Sequence, residues 1–285
     1  MAQIGVQLMM LREQVQRDGA YDVLSQVREL GFRSVEVSQI PMTPENVQAM
    51  RRVRDETGMT YAALSASVGP TRSGNDSLTE NYDKIISDAK TLDATSVRIG
   101  MMPFEAMQSE GALKDFCKEA NEAALRLAED GVGLYYHNHH IEFAYRNGQL
   151  ILDQIREWAP DMRLEIDVHW VQRGGKDPVR TLEKYSGLVD LVHLKDYRIG
   201  EMDPAAFELL EQGDVAGFMQ AFTGVVQFAE VGEGTLEWRE VIEQALTSGA
   251  EYLLIEQDDQ YGRHPMDCLK TSRDNLVALG YEHLL

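Results

Sequence analysis

Cysteine is scarce in this chain. Cys117 and Cys268 are its two thiols, far apart and outside any CxxC pattern. That excludes a disulfide scaffold and a thiolate zinc or redox motif, and both are expected as reduced thiols on helices. Basic charge is scarce too: 27 Lys plus Arg stand against 47 Asp plus Glu, a formal net charge of −20. So acidic a surface repels phosphate backbones and anionic lipid, which argues against nucleic-acid and membrane partners. No apolar run approaches the roughly 18 residues of a membrane span. The opening MAQIGVQLMMLREQ lacks the basic n-region of a signal peptide, so a cytoplasmic location is expected. No linker rich in Pro, Ser or charge divides the chain, and 1–285 reads as one domain. The first apolar run leads into LMMLREQ rather than GxGxxG, against a dinucleotide-binding sheet.

What the chain does have is alternation. Short apolar runs alternate with amphipathic stretches, the pattern of repeated βα units around a parallel sheet. Eight strands are expected, at Ile4–Leu8, Ser34–Ser38, Thr60–Ser65, Ser96–Gly100, Gly133–His137, Arg163–Val168, Leu188–Lys195 and Glu251–Glu256. Between them, Val23, Leu24, Val27 and Leu30 fall at helical spacing before Gly31, and Thr43-Pro44 reads as an N-cap with proline at the first helical position. Ala112–Asp130, Leu236–Thr247 and Met266–Leu279 are further helices. Asp203–Phe222 reads as a helical insertion between strands seven and eight, and VQFAEVGEGTLEW after it as a short extra strand over the barrel mouth. Eight such units favour a closed (β/α)8 barrel.

Catalytic groups of a barrel sit at the C-terminal ends of its strands. There the second strand offers Glu36 and Ser38, and the fifth His137, Asn138, His139, His140 and Glu142. The sixth offers Glu165, Asp167 and His169, the seventh His193, Lys195, Asp196 and Arg198, and the eighth Glu256, Gln257 and Asp258. Five of the seven histidines fall within three strand ends. Carboxylates and imidazoles converging from different strands make either a polar plug or a metal site. The hard, oxygen-rich set suits Mn, Mg or Co better than a sulfur-loving ion.

The segments YYHNHHIEF, LEIDVHWVQRGG, VDLVHLKDYR, EVGEGTLEW and YLLIEQDDQ resemble, in order and spacing, the sugar phosphate isomerase/epimerase superfamily. These are the xylose isomerase-like TIM barrels, relatives of ketose 3-epimerases and inosose dehydratases. The resemblance runs nearly end to end and implies one divalent metal, manganese first, with cobalt or magnesium as alternatives. The ligands it implies are Glu142, Asp167, His193 and Glu256, with His137 and His139 of the HNHH run competing for the place of Glu142. It also implies acid/base roles for Glu142 and Glu256. His169 is expected to contact substrate, Arg198 to do so or to form a loop salt bridge, and His137 and His139 to do so where they are not ligands. Lys195 is expected to face a substrate oxyanion or to pair with Asp196, and Glu36 to reach a substrate hydroxyl or to plug the barrel. A homodimer or homotetramer is expected by resemblance alone.

Nucleases of the superfamily carry extra histidines on strands three and four, whereas here those strands end in LSASVGP and RIGMMP. With one metal, loss of a proton beside a carbonyl leads to epimerisation, isomerisation, dehydration or 3-keto-glycoside cleavage through one enediolate. The acidic QDDQYGRHP after strand eight, and the lack of a Gly-rich phosphate loop, favour an unphosphorylated small sugar, ketosugar or inositol derivative. Metal-activated hydrolysis and a non-catalytic carbohydrate-binding barrel are the readings from other classes.

Overall fold

The computed structural model describes residues 2–70 and 76–285. Eight parallel strands close a barrel in sequence order: Gln3–Gln7, Ser34–Val37, Thr60–Ser65, Ser96–Ile99, Gly133–His137, Arg163–Asp167, Val189–Leu194 and Tyr252–Ile255. Each overlaps the strand expected from the apolar pattern. Helices cover the outside, among them Ala20–Glu29, Pro44–Thr57, Glu110–Glu129, Trp238–Ser248 and Pro265–Ala278. Thr43 caps the second of these, its side chain accepting from the Asn46 amide at 3.3 Å, with Pro44 in the first turn where no N–H is needed.

Most of the core lies between the strands and this helical coat. A separate small cluster of Ala62, Ala63, Tyr135, Leu191 and Leu254 fills the inside of the barrel. Strand side chains alternate faces, so the residues two steps on from Tyr135, Leu191 and Leu254 also point to the axis. Those residues are His137, His193 and Glu256. Apolar packing at the floor thus aims polar groups at the mouth.

Two register shifts interrupt the ladder, between Val35 and Glu36 and between Leu164 and Glu165. A bulge re-aims the side chain at which it occurs, and both fall on carboxylates that end up inside the barrel. Gly5 serves close approach: a Cβ there would lie 2.5 Å from the Ser34 carbonyl oxygen.

The expected insertion is present as two helices, Ala205–Glu211 and Val215–Gly224. Strand Val226–Ala229 follows and pairs antiparallel with Asp196–Ile199, so the residues after Lys195 leave the seventh strand and join a hairpin. Asp196 anchors that hairpin: its carboxylate accepts from the Gly232, Gly234 and Thr235 amides, each at 3.1 Å, and from Trp238 Nε1 at 2.7 Å. Lys195 therefore does not pair with Asp196, and Trp238 is a buried anchor of the hairpin. No helix among the described residues is long and apolar enough to cross a membrane.

Candidate metal centre and its cavity

Four side chains from four strands, His137, Asp167, His193 and Glu256, bring one ligand atom each within 4.8 Å of one another. All are buried. Three belong to the ligand set implied by resemblance; the fifth strand supplies His137 instead of Glu142.

Glu142 is elsewhere. Its Oε1 accepts from the Tyr136 hydroxyl at 2.6 Å and its Oε2 from the His139 amide at 2.8 Å, inside the turn Ile141–Phe143. Burial pushes this carboxyl up, and those two donors work against the rise. Both oxygens are thus engaged in holding the loop, and Glu142 is corrected from ligand and proton carrier to a strut of the HNHH segment. Asn138 is a second strut: its side chain accepts from the Asp167 amide at 3.1 Å and donates to the Asp167 carbonyl at 3.3 Å.

The ligand atoms are oriented as a metal requires. His137 Nδ1 lies 3.1 Å from the Gly100 carbonyl, which can only accept, so this nitrogen carries the proton. Nε2 is left without a hydrogen-bond partner, 3.4 Å from Asp167 Oδ2, itself unpartnered. The other oxygen of Asp167 is engaged, accepting from the Trp170 amide at 3.0 Å as the cap of helix Val168–Arg173. His193 Nδ1 lies 2.6 Å from Glu256 Oε2 and Nε2 3.1 Å from Glu36 Oε2. A lone pair facing a carboxylate oxygen, both buried, suits a cation between them, and two imidazoles with two carboxylates form a mixed nitrogen and oxygen set that could hold a divalent ion.

One step deeper lies a second polar layer. Arg98 Nε is 2.7 Å from Glu36 and 3.5 Å from Glu165, and Arg98 Nη2 donates to Ser38 at 2.7 Å. Burial opposes ionisation of Glu36, but Arg98 and His193 outweigh it and hold that carboxyl well below its ordinary range. Glu165 is pushed up to about 8, by burial and by Glu36 beside it. Burial also opposes charge on His193, yet Glu165, Glu36 and Glu256 raise it well above an ordinary imidazole. Glu36 is 0 % exposed, so the contact with substrate expected of it is replaced by a place in this plug.

The centre faces a cavity of about 410 Å³ whose wall includes Gln7, Arg12, Ser38, Gln39, Ser65, Ser67, His139, Lys195, Glu256 and Asp258. Ser65 and Ser67 each bury a hydroxyl without a hydrogen-bond partner. Lys195 donates to Asp258 at 2.8 Å and lies 3.5 Å from Glu256 and 3.7 Å from Asp167, with its ammonium over the Trp170 ring. Burial opposes its charge, and those carboxylates hold it high. His139 is pushed down to about 3, chiefly by burial, and is neutral at pH 7.

Two expected substrate contacts are absent from the wall. His169 is buried edge-on against Tyr197 and beside Phe228, its ring pushed down to about 4 by burial. Arg198 lies on the hairpin and turns to Gln227, at 3.3 Å, and toward Glu230, at 4.0 Å. Neither lines the cavity.

A family model described as the xylose isomerase-like TIM barrel matches residues 24–277. The rhizopine catabolism protein MocC of Rhizobium meliloti is 26% identical over 164 residues, which cover 57% of this chain and 48% of that protein. The chain thus spans about half the length of that curated relative. A sugar phosphate isomerase/epimerase from Parabacteroides distasonis superposes with a TM-score of 0.71 at 18% identity, covering 99% of this chain and 96% of that one. An L-ribulose 3-epimerase does so with a TM-score of 0.69 at 14% identity, covering 100% and 96%. At these identities the structural likeness is one of fold.

Proposed function

The chain belongs to the xylose isomerase-like TIM barrel family, and on that premise we propose that it is a metal-dependent isomerase or epimerase of a small sugar or ketosugar. One observation carries this reading: four buried ligand atoms lie within 4.8 Å of one another, and two of their residues, His137 and Glu256, line a polar cavity of about 410 Å³. His137, Asp167, His193 and Glu256 are the proposed ligands, and manganese is the proposed ion. Bound there, a divalent ion would polarise a substrate carbonyl and acidify the neighbouring C–H.

The chain's own residues supply the rest. Glu256, on the cavity wall and held by Gln7 at 3.3 Å, is the proposed proton acceptor. Lys195 donates to negative charge that develops on a substrate oxygen; its position between Asp258 and Glu256 supports that role. Neutral His139 is the proposed second proton carrier, since it lines the same wall and its Nδ1 has no partner. The orphaned hydroxyls of Ser65 and Ser67 suit a polyhydroxylated ligand. Returning the proton to the other face gives epimerisation, to the adjacent carbon isomerisation, and loss of a β-substituent dehydration or lyase chemistry.

Elemental analysis of the purified chain beside Asp167→Asn and His193→Ala tests the centre. About one equivalent of Mn, Co or Mg in the native chain, lost in both variants, is expected. Ketohexoses, inososes and 3-keto-glycosides in D2O then test the chemistry, with metal-dependent deuterium entry at carbon expected. A native chain that stays metal-free after Mn is added back would sink the mechanism.

A further inference from the structure

Among the described residues three Lys and Arg side chains line the cavity, and two of them are answered within the protein. Arg98 meets Glu36 at 2.7 Å and Lys195 meets Asp258 at 2.8 Å. The third is Arg12, exposed at the start of the helix Arg12–Asp18. Its one partner among the described residues is neutral: Nη1 donates to Gln39 Oε1 at 2.9 Å. No carboxylate of the described residues pairs with it, and the undescribed stretch 71–75, TRSGN, contains none.

Gln39, which holds it, is itself unusual. Its φ is +55°, in the left-handed region that residues other than glycine rarely adopt. Strain of this kind collects at ligand clamps. The Gln39 amide fixes one nitrogen of the guanidinium, while Nε and Nη2 donate to no protein atom among the described residues. A planar guanidinium with two free donors matches the two oxygens of a carboxylate.

We propose that Arg12, set by Gln39, is a carboxylate-binding site on the cavity wall, so that the substrate is a sugar acid rather than a neutral sugar. This rests on reading the cavity as a sugar site. One guanidinium balances one negative charge. A phosphate dianion would leave charge unmatched beside Asp258, on the same wall.

The test is calorimetric titration of the full chain, metal-free and manganese-loaded, with D-fructuronate and D-tagaturonate. D-fructose, D-tagatose and D-fructose 6-phosphate serve as comparisons. The native chain is expected to bind at least one uronate about tenfold or more tightly than its neutral counterpart, with and without metal. Arg12→Gln should reduce that preference by roughly 10- to 100-fold, as loss of a charged hydrogen-bond pair does. Arg12→Lys should fall between, retaining charge without the fork. Equal thermal stability of the variants guards against misfolding, and the exposure of Arg12 favours that result.

Absence of binding by either uronate, equal binding of acids and neutral sugars, or a preference that survives Arg12→Gln overturns the proposal. Tighter binding of the sugar phosphate overturns the carboxylate assignment. Deuterium exchange separates the two readings. If neutral sugars exchange and uronates gain nothing, the Arg12 site alone falls; if no sugar exchanges with metal loaded, the proposed function falls, and the metal-free titrations still decide Arg12.

Discussion

Two polar layers meet at His193, and they settle their charge differently. In the deeper one, Glu36 and Glu165 face Arg98, and Glu165 is raised to about 8. One carboxylate, one guanidinium and one carboxylic acid at neutral pH leave that layer balanced without outside help. In the layer at the mouth, burial opposes ionisation of Asp167 and Glu256, yet Lys195 and the imidazoles hold both well below their ordinary range. Lys195 is shared with Asp258, at 2.8 Å. With His193 also raised well above an ordinary imidazole, two cations face Asp167 and Glu256, and Asp258 is the acid left over at this layer. The two layers have similar donor types and each could hold an ion by geometry; the guanidinium of Arg98 already faces the carboxylates of the deeper one, and the mouth is the proposed metal site.

The largest effect should come from removing that guanidinium. Arg98→Met strands Glu36 in the barrel without its counter-charge, and breaking a buried ion pair costs about 3–5 kcal/mol. Urea unfolding reads the loss, and metal content should remain that of the native chain because no proposed ligand has changed. A variant within 1 kcal/mol of native, by the same measurement, would mean that the deeper layer is not held by charge. Next in size is the response of the mouth layer to metal. Manganese at about a hundred times its dissociation constant should raise native stability by about 2.7 kcal/mol. Asp167→Asn should remove that gain, since its second oxygen is the unpartnered one. A thermal shift of equal size in both proteins would place the ion elsewhere.

The two layers were not equally legible in the sequence. Period-two alternation placed Glu165 with Asp167 and His193 with Lys195 on shared strand faces, and the eight strand positions follow from apolar runs that the barrel buries on both sides. Arg98, in RIGMMP, is legible by a different signal from the histidines. A charged residue between Val97 and Ile99, in a strand buried throughout, already demands a buried partner. Sequence leaves Glu36 between a substrate hydroxyl and a plug of the barrel, and a bulge between Val35 and Glu36 favours the plug. No propensity in SVEV announces that bulge. His169 follows Asp167 by two, but helix Val168–Arg173 begins there, so strand alternation no longer governs where its ring points. For Arg198 the loop salt bridge is the alternative nearer the structure, since the seventh strand ends at Leu194 and a separate hairpin carries the residues from Asp196.

The smallest predicted effect bears on the fifth strand, where spacing alone could not choose between Glu142 and the HNHH imidazoles. The turn Ile141–Phe143 folds the Glu142 carboxylate back onto the Tyr136 hydroxyl and the His139 amide, and His137 reaches the centre directly from the strand. Glu142→Gln keeps one acceptor oxygen and presents an NH2 group in place of the other. One of those two bonds is lost, at roughly 1–2 kcal/mol. Metal content should not change, because the variant leaves His137 Nδ1 on Gly100 and Nε2 facing Asp167. His137→Gln should show the reverse, with metal weakened at least tenfold and a comparable or smaller loss of stability. Equilibrium dialysis against manganese compares the pair. If Glu142→Gln lost its metal while His137→Gln kept it, the strut and the ligand would have to exchange places, and the mouth layer would gain a third carboxylate in exchange for an imidazole.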